Sequence, residues 1–120
     1  PDILRALKAD PVSDVRIAAA QAVFALGATD DTLPGVIEAL HDKAVHVRGE
    51  VLMGLADSGQ KAKAAISEIA KLFQEDGNPD IRALALYALV RIEPEEKTTL
   101  RVLSGALTDN VQEVRVTALR

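Results

Sequence analysis

The sequence predicts an all-α chain: an α-solenoid of about four stacked helix pairs, with the terminal pairs truncated. Three observations predict it. A branched aliphatic followed by Arg recurs as Val15-Arg16, Val47-Arg48, Ile81-Arg82 and Val114-Arg115, at intervals of 32, 34 and 33 residues. An Asp stands six residues before each Arg, at Asp10, Asp42, Asp76 and Asp109. The interior must also be built almost without aromatics, which are 2% of a chain that is 48% apolar. Self-similarity at this period marks one supersecondary unit stacked on copies of itself. Alanine and leucine suit the closely packed helices of such a stack.

The units divide at approximately 1–28, 29–59, 60–93 and 94–120, and each reads as two helices. In the first unit only the end of the first helix remains, with Ile3, Leu4 and Leu7 apolar. In the second, Asp30-Asp31-Thr32 offer N-cap oxygens and Pro34 sits in the first turn, where its missing N–H costs nothing. Val36, Ile37 and Leu40 then make the inward stripe, which ends at His41-Asp42. Ile66, Ile69, Ala70 and Phe73 do the same between Lys61 and Glu75, as do Leu100, Leu103, Ala106 and Leu107 between Glu95 and Thr108.

The second helix of each unit follows a tight turn. Asn78 caps it in the third unit and Pro79 begins it. Counted from the Arg, positions +3, +4 and +7 are small or apolar: Ala19, Ala20, Val23; Val51, Leu52, Leu55; Ala85, Leu86, Leu89. Position −1 adds Val15, Val47, Ile81 and Val114 to that stripe. Gly27 and Gly59 close two of these helices in a left-handed conformation, and Glu93-Pro94 stops the third. Gly49 and Gly54 weaken the second unit's inner helix, with a close helix approach as the reason at Gly54. No unit can bury a two-sided apolar surface alone, so stacking must do it.

The run from Asp10 to Val23, closing on Leu26-Gly27, resembles a HEAT repeat of the bacterial, phycobilisome-lyase type. Asp76 to Ile92 and Asp109 to Leu119 resemble it too, and Asp42 to Leu55 is a looser copy. The resemblance implies a right-handed α-solenoid and a protein-binding scaffold whose second helices line a concave face. For the Asp and Arg columns it implies a structural ladder: Arg16, Arg48, Arg82 and Arg115 bonded to Asp10, Asp42, Asp76 and Asp109 and to carbonyls of adjacent turns. The rival reading of four stacked guanidinium groups is an anion-binding strip. The Asp six residues before each Arg is the expected partner.

On the second helices, positions +1, +2, +5 and +9 point away from the apolar stripe. Ile17, Met53, Leu84, Tyr87 and Val116 there are too apolar for a face that meets only water. The expected contact residues are therefore Ile17, Gln21, Glu50, Met53, Leu84, Tyr87 and Arg91, with Met53 and Tyr87 as anchors. Packing against a neighbouring domain would explain the same row. Arg91 and Arg120 are its only cations against Glu50 and Asp57, so no basic stripe exists to neutralise phosphates. The net charge of −4 and pI near 5.1 argue the same way against nucleic acid.

Chemistry is hard to assemble from the remaining residues. His41 and His46 are five apart; His46 with Glu50 has helical metal-pair spacing but no further ligand. HEAT-type deoxyhypusine hydroxylases are similar in fold and hold iron through His-Glu dipeptides, and none occurs here. Ser13, Ser58, Ser67 and Ser104 belong to no nucleophile elbow or acid–base–nucleophile group. Glu95-Glu96 reads as a first-turn acidic pair favoured by the helix dipole. Cysteine is absent, which excludes disulfides and Cys-ligated zinc. No apolar run is long enough to span a membrane.

The sequence begins at Pro1 and stops at Arg120 inside an apolar-periodic stretch, so it reads as an excerpt of a longer protein. No signal segment precedes the first helix, and the compartment stays open, with the cytoplasm the default. Uncapped ends make end-to-end self-association an expectation. The function read from all this is a noncatalytic protein-interaction or scaffolding module without cofactors, whose partner is a protein or peptide. The alternatives are an accessory domain of a larger bacterial enzyme, such as a sulfatase or redox enzyme, and a chromophore lyase. A HEAT-like DNA glycosylase would need a basic, Trp-bearing groove, and the chain has no Trp.

Overall fold

The computed structural model describes residues 2–106. Their helices are α1 (Asp2–Ala9), α2 (Ser13–Leu26), α3 (Leu33–Glu38), α4 (Val45–Ser58), α5 (Ile66–Glu75), α6 (Pro79–Ile92) and α7 (Lys97–Ala106). No strand occurs among the described residues. Helices α2, α4 and α6 pack side by side in one layer, and α1, α3, α5 and α7 form the other; α1 packs on α2 and α5 on α6, while the 3-10 turn Ala39–His41 that ends α3 packs on α4 and α5. The result is an elongated two-layer stack measuring 42 × 25 × 18 Å, the all-α solenoid that the repeat spacing predicts.

The turn inside each pair is closed by one device. Asp10 Oδ1 accepts the Val12 N–H at 2.9 Å, Asp42 Oδ1 that of Ala44 at 2.8 Å, and Asp76 Oδ1 that of Asn78 at 2.9 Å. The carboxylate thus holds the residue before the next helix in an extended conformation. In α6 the expected cap is present as well: Asn78 Oδ1 accepts from Asp80 at 2.8 Å and Ile81 at 3.4 Å.

Between pairs the connections differ more from expectation. Thr32 precedes α3 but its hydroxyl does not cap it; Thr29 and Thr32 instead close the turn on each other, with the Thr29 N–H donating to Thr32 Oγ1 at 2.9 Å. Asp30 and Asp31 are exposed. Residues Gly59–Ala65 form 3-10 turns kinked at Ala62, so the α-helix expected from Lys61 starts only at Ile66. Gly27 and Gly59 do adopt positive φ, +91° and +59°, and are the sole described residues that do. Their ψ values of 118° and −138° lie outside the left-handed helical region, so they turn the chain without a left-handed helical cap.

The inner stripe at +3, +4 and +7 is buried at every position in α2, α4 and α6. Position −1 splits: Val47 and Ile81 are buried, whereas Val15 is 41% exposed. This position packs against the preceding pair, and no described pair precedes Val15. In α7 the stripe is rotated from the expected one. Thr99, Val102 and Ala106 are buried while Leu100 is 48% exposed. Glu96 acts as its N-cap, its Oε2 accepting from Thr98 at 2.7 Å and Thr99 at 3.3 Å, rather than as a free dipole charge. Leu107 and Thr108 lie outside the described residues.

Gly49 and Gly54 prove unlike each other. A Cβ on Gly49 would sit 3.7 Å from Ile81 and Leu84, an ordinary contact, whereas one on Gly54 would strike the Phe24 ring. Gly49→Ala should therefore stabilise the chain by about 0.5–1 kcal/mol, through helix propensity and a less entropic unfolded state. Thermal denaturation followed by circular dichroism checks this; an unchanged or lowered midpoint contradicts it.

Candidate protein-contact site

The arginine column runs along the turns between the layers. Arg16 is nearly buried, with a side-chain exposure of 5%, and it does not bind the carboxylate of Asp10. Its Nη1 donates to the Asp10 backbone carbonyl at 2.7 Å, while Nε and Nη2 grip Asp42 of the following unit at 2.8 and 3.1 Å. Arg48 repeats the pattern one unit on. Nη1 donates to the Asp42 carbonyl at 3.0 Å, Nη2 donates to Asp76 Oδ1 at 3.3 Å, and Nε lies 2.8 Å from Asp76 Oδ2. That last contact is an ion pair whose N–H is not aimed at the oxygen.

The expectation of an own-unit Asp partner is thereby corrected. Asp42 and Asp76 each close their own turn and receive the arginine of the unit before. The two roles use different lone pairs of one carboxylate, so turn geometry and stacking register are fixed by a single side chain. Burial pushes the Asp42 carboxyl up, but the bonds from Arg16 and the Ala44 N–H, with the charges of Arg16 and Lys43, outweigh it and leave the group below the ordinary carboxylate range. The hydrogen bond to Asp42 in turn outweighs burial at Arg16 and raises its pKa. Arg82 donates from Nε to the Phe73 carbonyl at 3.1 Å and stacks over the Phe73 ring, 5.4 Å to the centroid. Asp109 and Arg115 lie outside the described residues.

The guanidinium groups of Arg16 and Arg48 are thus consumed by carboxylates and carbonyls of the stack. An anion-binding strip needs donors facing outward. These two face the next unit.

The contact row on α2, α4 and α6 is brought together in part. Gln21, Glu50 and Met53 line a hollow of about 540 Å³ between α2 and α4, floored by Phe24 and Gly54 and edged by Asp57 and Lys61. Gln21 Nε2 donates to Glu50 Oε1 at 3.3 Å across the two helices. Met53 and Tyr87 are each 37% exposed. Tyr87 and Arg91 stand on α6 outside this hollow, with the Arg91 guanidinium over the Tyr87 ring, 5.8 Å from its centroid. Ile17 and Leu84 are half-buried and pack against the core. Leu84 is taken up by the gap beside Gly49, a use that the spacing on one helix does not reveal. The spacing did not mark Phe24 and Gly54 as lining; the ring's approach to a glycine on the neighbouring helix creates the floor.

His41 pairs with Glu68 at 2.8 Å on the exposed outer side, away from His46. No group of three His, Cys, Asp or Glu side chains that could hold a metal comes together among the described residues. No described helix is long and apolar enough to cross a membrane.

The family model of HEAT repeats matches residues 1–88 and, in a second alignment, 33–120. The two alignments are offset by 32 residues, one repeat of the Arg spacing. Comparison with curated proteins finds no match.

Proposed function

The chain belongs to the HEAT repeat family, and we propose on that premise that it is a noncatalytic module that captures a protein or peptide on the exposed row of α2, α4 and α6. Repeats of this family generally mediate protein–protein interaction or scaffolding and are typically noncatalytic. The observation that carries the reading is the conjunction on this layer of an open hollow with two large, partly exposed anchors. Met53 forms one wall of the hollow, and Tyr87 stands one helix further along, stiffened by Arg91. Amphipathic side chains of this kind, with polar neighbours such as Gln21, Glu50 and Arg91, are what a protein contact uses. Units at 1–28, 29–59, 60–93 and 94–120 and a right-handed superhelix belong to the same proposal.

The mechanism is presentation by a rigid stack. The register pairs fix each inner helix relative to the next, so the spacing of Met53 and Tyr87 is set before a partner arrives and little ordering entropy is lost on binding. The test is an affinity pull-down from lysate, comparing the chain with a Met53→Ala, Tyr87→Ala double variant of equal thermal midpoint. Partners recovered by the first should be depleted at least about tenfold with the second, since each anchor is worth on the order of 1–2 kcal/mol. Equal recovery by both would reject the row as the contact face.

A further inference from the structure

The hollow between α2 and α4 belongs to one joint of the stack and not to the repeat pattern. Phe24 stands eight residues after Arg16 and Gly54 six after Arg48, and the ring occupies the space that a Cβ on Gly54 would need. At the corresponding positions of the next joint stand Ala56 and Ala88, two small side chains that are 1% and 0% exposed. A bulky ring set against a glycine is therefore what floors this recess of about 540 Å³.

The charge of the hollow is one-sided. Glu50 and Asp57 line it seven residues apart on α4, two turns along one face, which separates their backbones by about 10 Å. Glu50 is half-buried, and its hydrogen bond to Gln21 is long, at 3.3 Å. Among the described residues neither carboxylate has an ion-pair partner, whereas Asp42, Asp76, Glu68 and Glu93 each have one. Lys61, the one cation among the lining residues, reaches neither. Asp14 and Asp80, exposed two turns before Gln21 and Tyr87 on their own helices, extend the negative charge along the same layer, against Arg91 over its ring.

On the reading that this row is a contact face, we propose that its partner lays a basic peptide segment in the hollow. Two arginines three residues apart meet Glu50 and Asp57, and an apolar side chain between them rests on Phe24 and Met53. The spacing follows from the carboxylates. A polyproline-type segment advances about 3.1 Å per residue and returns to the same face every third residue, so its residues i and i+3 span about 9 Å. Arginine fits better than lysine because its guanidinium is weakly hydrated, forks onto a carboxylate and stacks on an aromatic face such as that of Phe24. An acidic segment would be repelled from the same place.

The test follows the backbone amide resonances of the isotope-labelled chain during titration with the peptide acetyl-Arg-Leu-Pro-Arg-amide. A second peptide carries citrulline, a neutral isostere, in place of both arginines. At low salt the arginine peptide should give saturable shifts centred on Gln21, Glu50, Gly54 and Asp57, and bind at least about tenfold more tightly than the citrulline peptide. Glu50→Gln combined with Asp57→Asn should weaken the arginine peptide at least about fivefold and leave the citrulline peptide unchanged. Both carboxylates lie outside the core, so the thermal midpoint of this variant should stay within about 1 °C. Equal binding of the two peptides, no saturable shift with the arginine peptide, or an arginine preference that survives in the double variant would overturn the proposal. The pull-down separates this failure from that of the contact face. Partners lost with Met53→Ala, Tyr87→Ala but kept with Glu50→Gln, Asp57→Asn would uphold the face and overturn its basic occupant. Partners kept by both variants would reject the face, and the proposal with it.

Discussion

Asp42→Ala lowers stability by about 3 kcal/mol and the thermal midpoint by about 10 °C or more. The size follows from what is left behind. Arg16 and Asp42 have side-chain exposures of only 5% and 9%, so removing the carboxylate strands a guanidinium in a site that water barely reaches. The same change frees the Ala44 N–H and loosens the turn into α4. Asp42→Asn separates the two roles, since its amide oxygen can still hold Ala44 but cannot receive a forked arginine as an anion. It should lose less than Asp42→Ala.

The acid limb of stability gives a second readout. The folded Asp42 carboxyl titrates below its unfolded value near 3.8. A group with a depressed folded pKa contributes stability that is present above the unfolded value and vanishes as pH falls through the folded one. The parent chain should therefore lose stability more steeply than Asp42→Asn as pH falls below about 4. Denaturant midpoints measured from pH 7 down to pH 2.5 check this; parallel curves for the two chains would show that the pair contributes no pH-dependent stability.

Much of the stack was legible because repetition multiplies weak signals. One such aliphatic–Arg pair means little, whereas recurrence at intervals of 32, 34 and 33 residues locates each inner helix among the described residues. The partner of each arginine was not legible. The Asp columns recur at the same period as the Arg columns, so an Asp 6 residues before an Arg and an Asp 26 after it are equally good candidates on spacing alone. Only the packing of α2 against α4 selects the second. The rotation of α7 has a similar cause. Thr99, Val102 and Ala106 form one helical stripe, Leu100 and Leu103 another, and the neighbouring helices choose between them at the expense of a buried Thr99 hydroxyl that has no hydrogen-bond partner. Gly59–Ala65 offers no periodicity, so nothing local distinguished 3-10 turns from the start of α5.

The contact row was half legible, for a reason that bears on function. Spacing on one helix says which side chains leave its buried stripe, and Gln21, Glu50, Met53, Tyr87 and Arg91 do leave it. It does not say how deep the neighbouring helix sits. Gly49 gives Leu84 a place to pack, and Gly54 lets Phe24 fall between α2 and α4. Two glycines on one helix thus remove one expected contact residue and create the floor of the hollow beside three others, Gln21, Glu50 and Met53.

Gly54→Ala is the corresponding test and should destabilise the chain by about 2 kcal/mol, opposite in sign to Gly49→Ala on the same helix. Alanine gains up to about 1 kcal/mol of helix propensity at either site, so the sign is decided by space. At Gly54 the added methyl would strike Cδ2 and Cε2 of the Phe24 ring and lie 2.6 Å from its Cγ. Clash at Cγ cannot be relieved by turning the ring about its own axis; the side chain must leave its rotamer or α2 must back away from α4. Either movement disturbs the neighbouring Gln21–Glu50 bridge and the wall that Met53 forms. Pairing Gly54→Ala with Phe24→Ala removes the obstacle, so the double variant should lose clearly less than the two single losses combined. Additive losses in thermal denaturation would mean that Phe24 is not what holds position 54 to glycine, and the close approach of α2 and α4 would lose its stated cause.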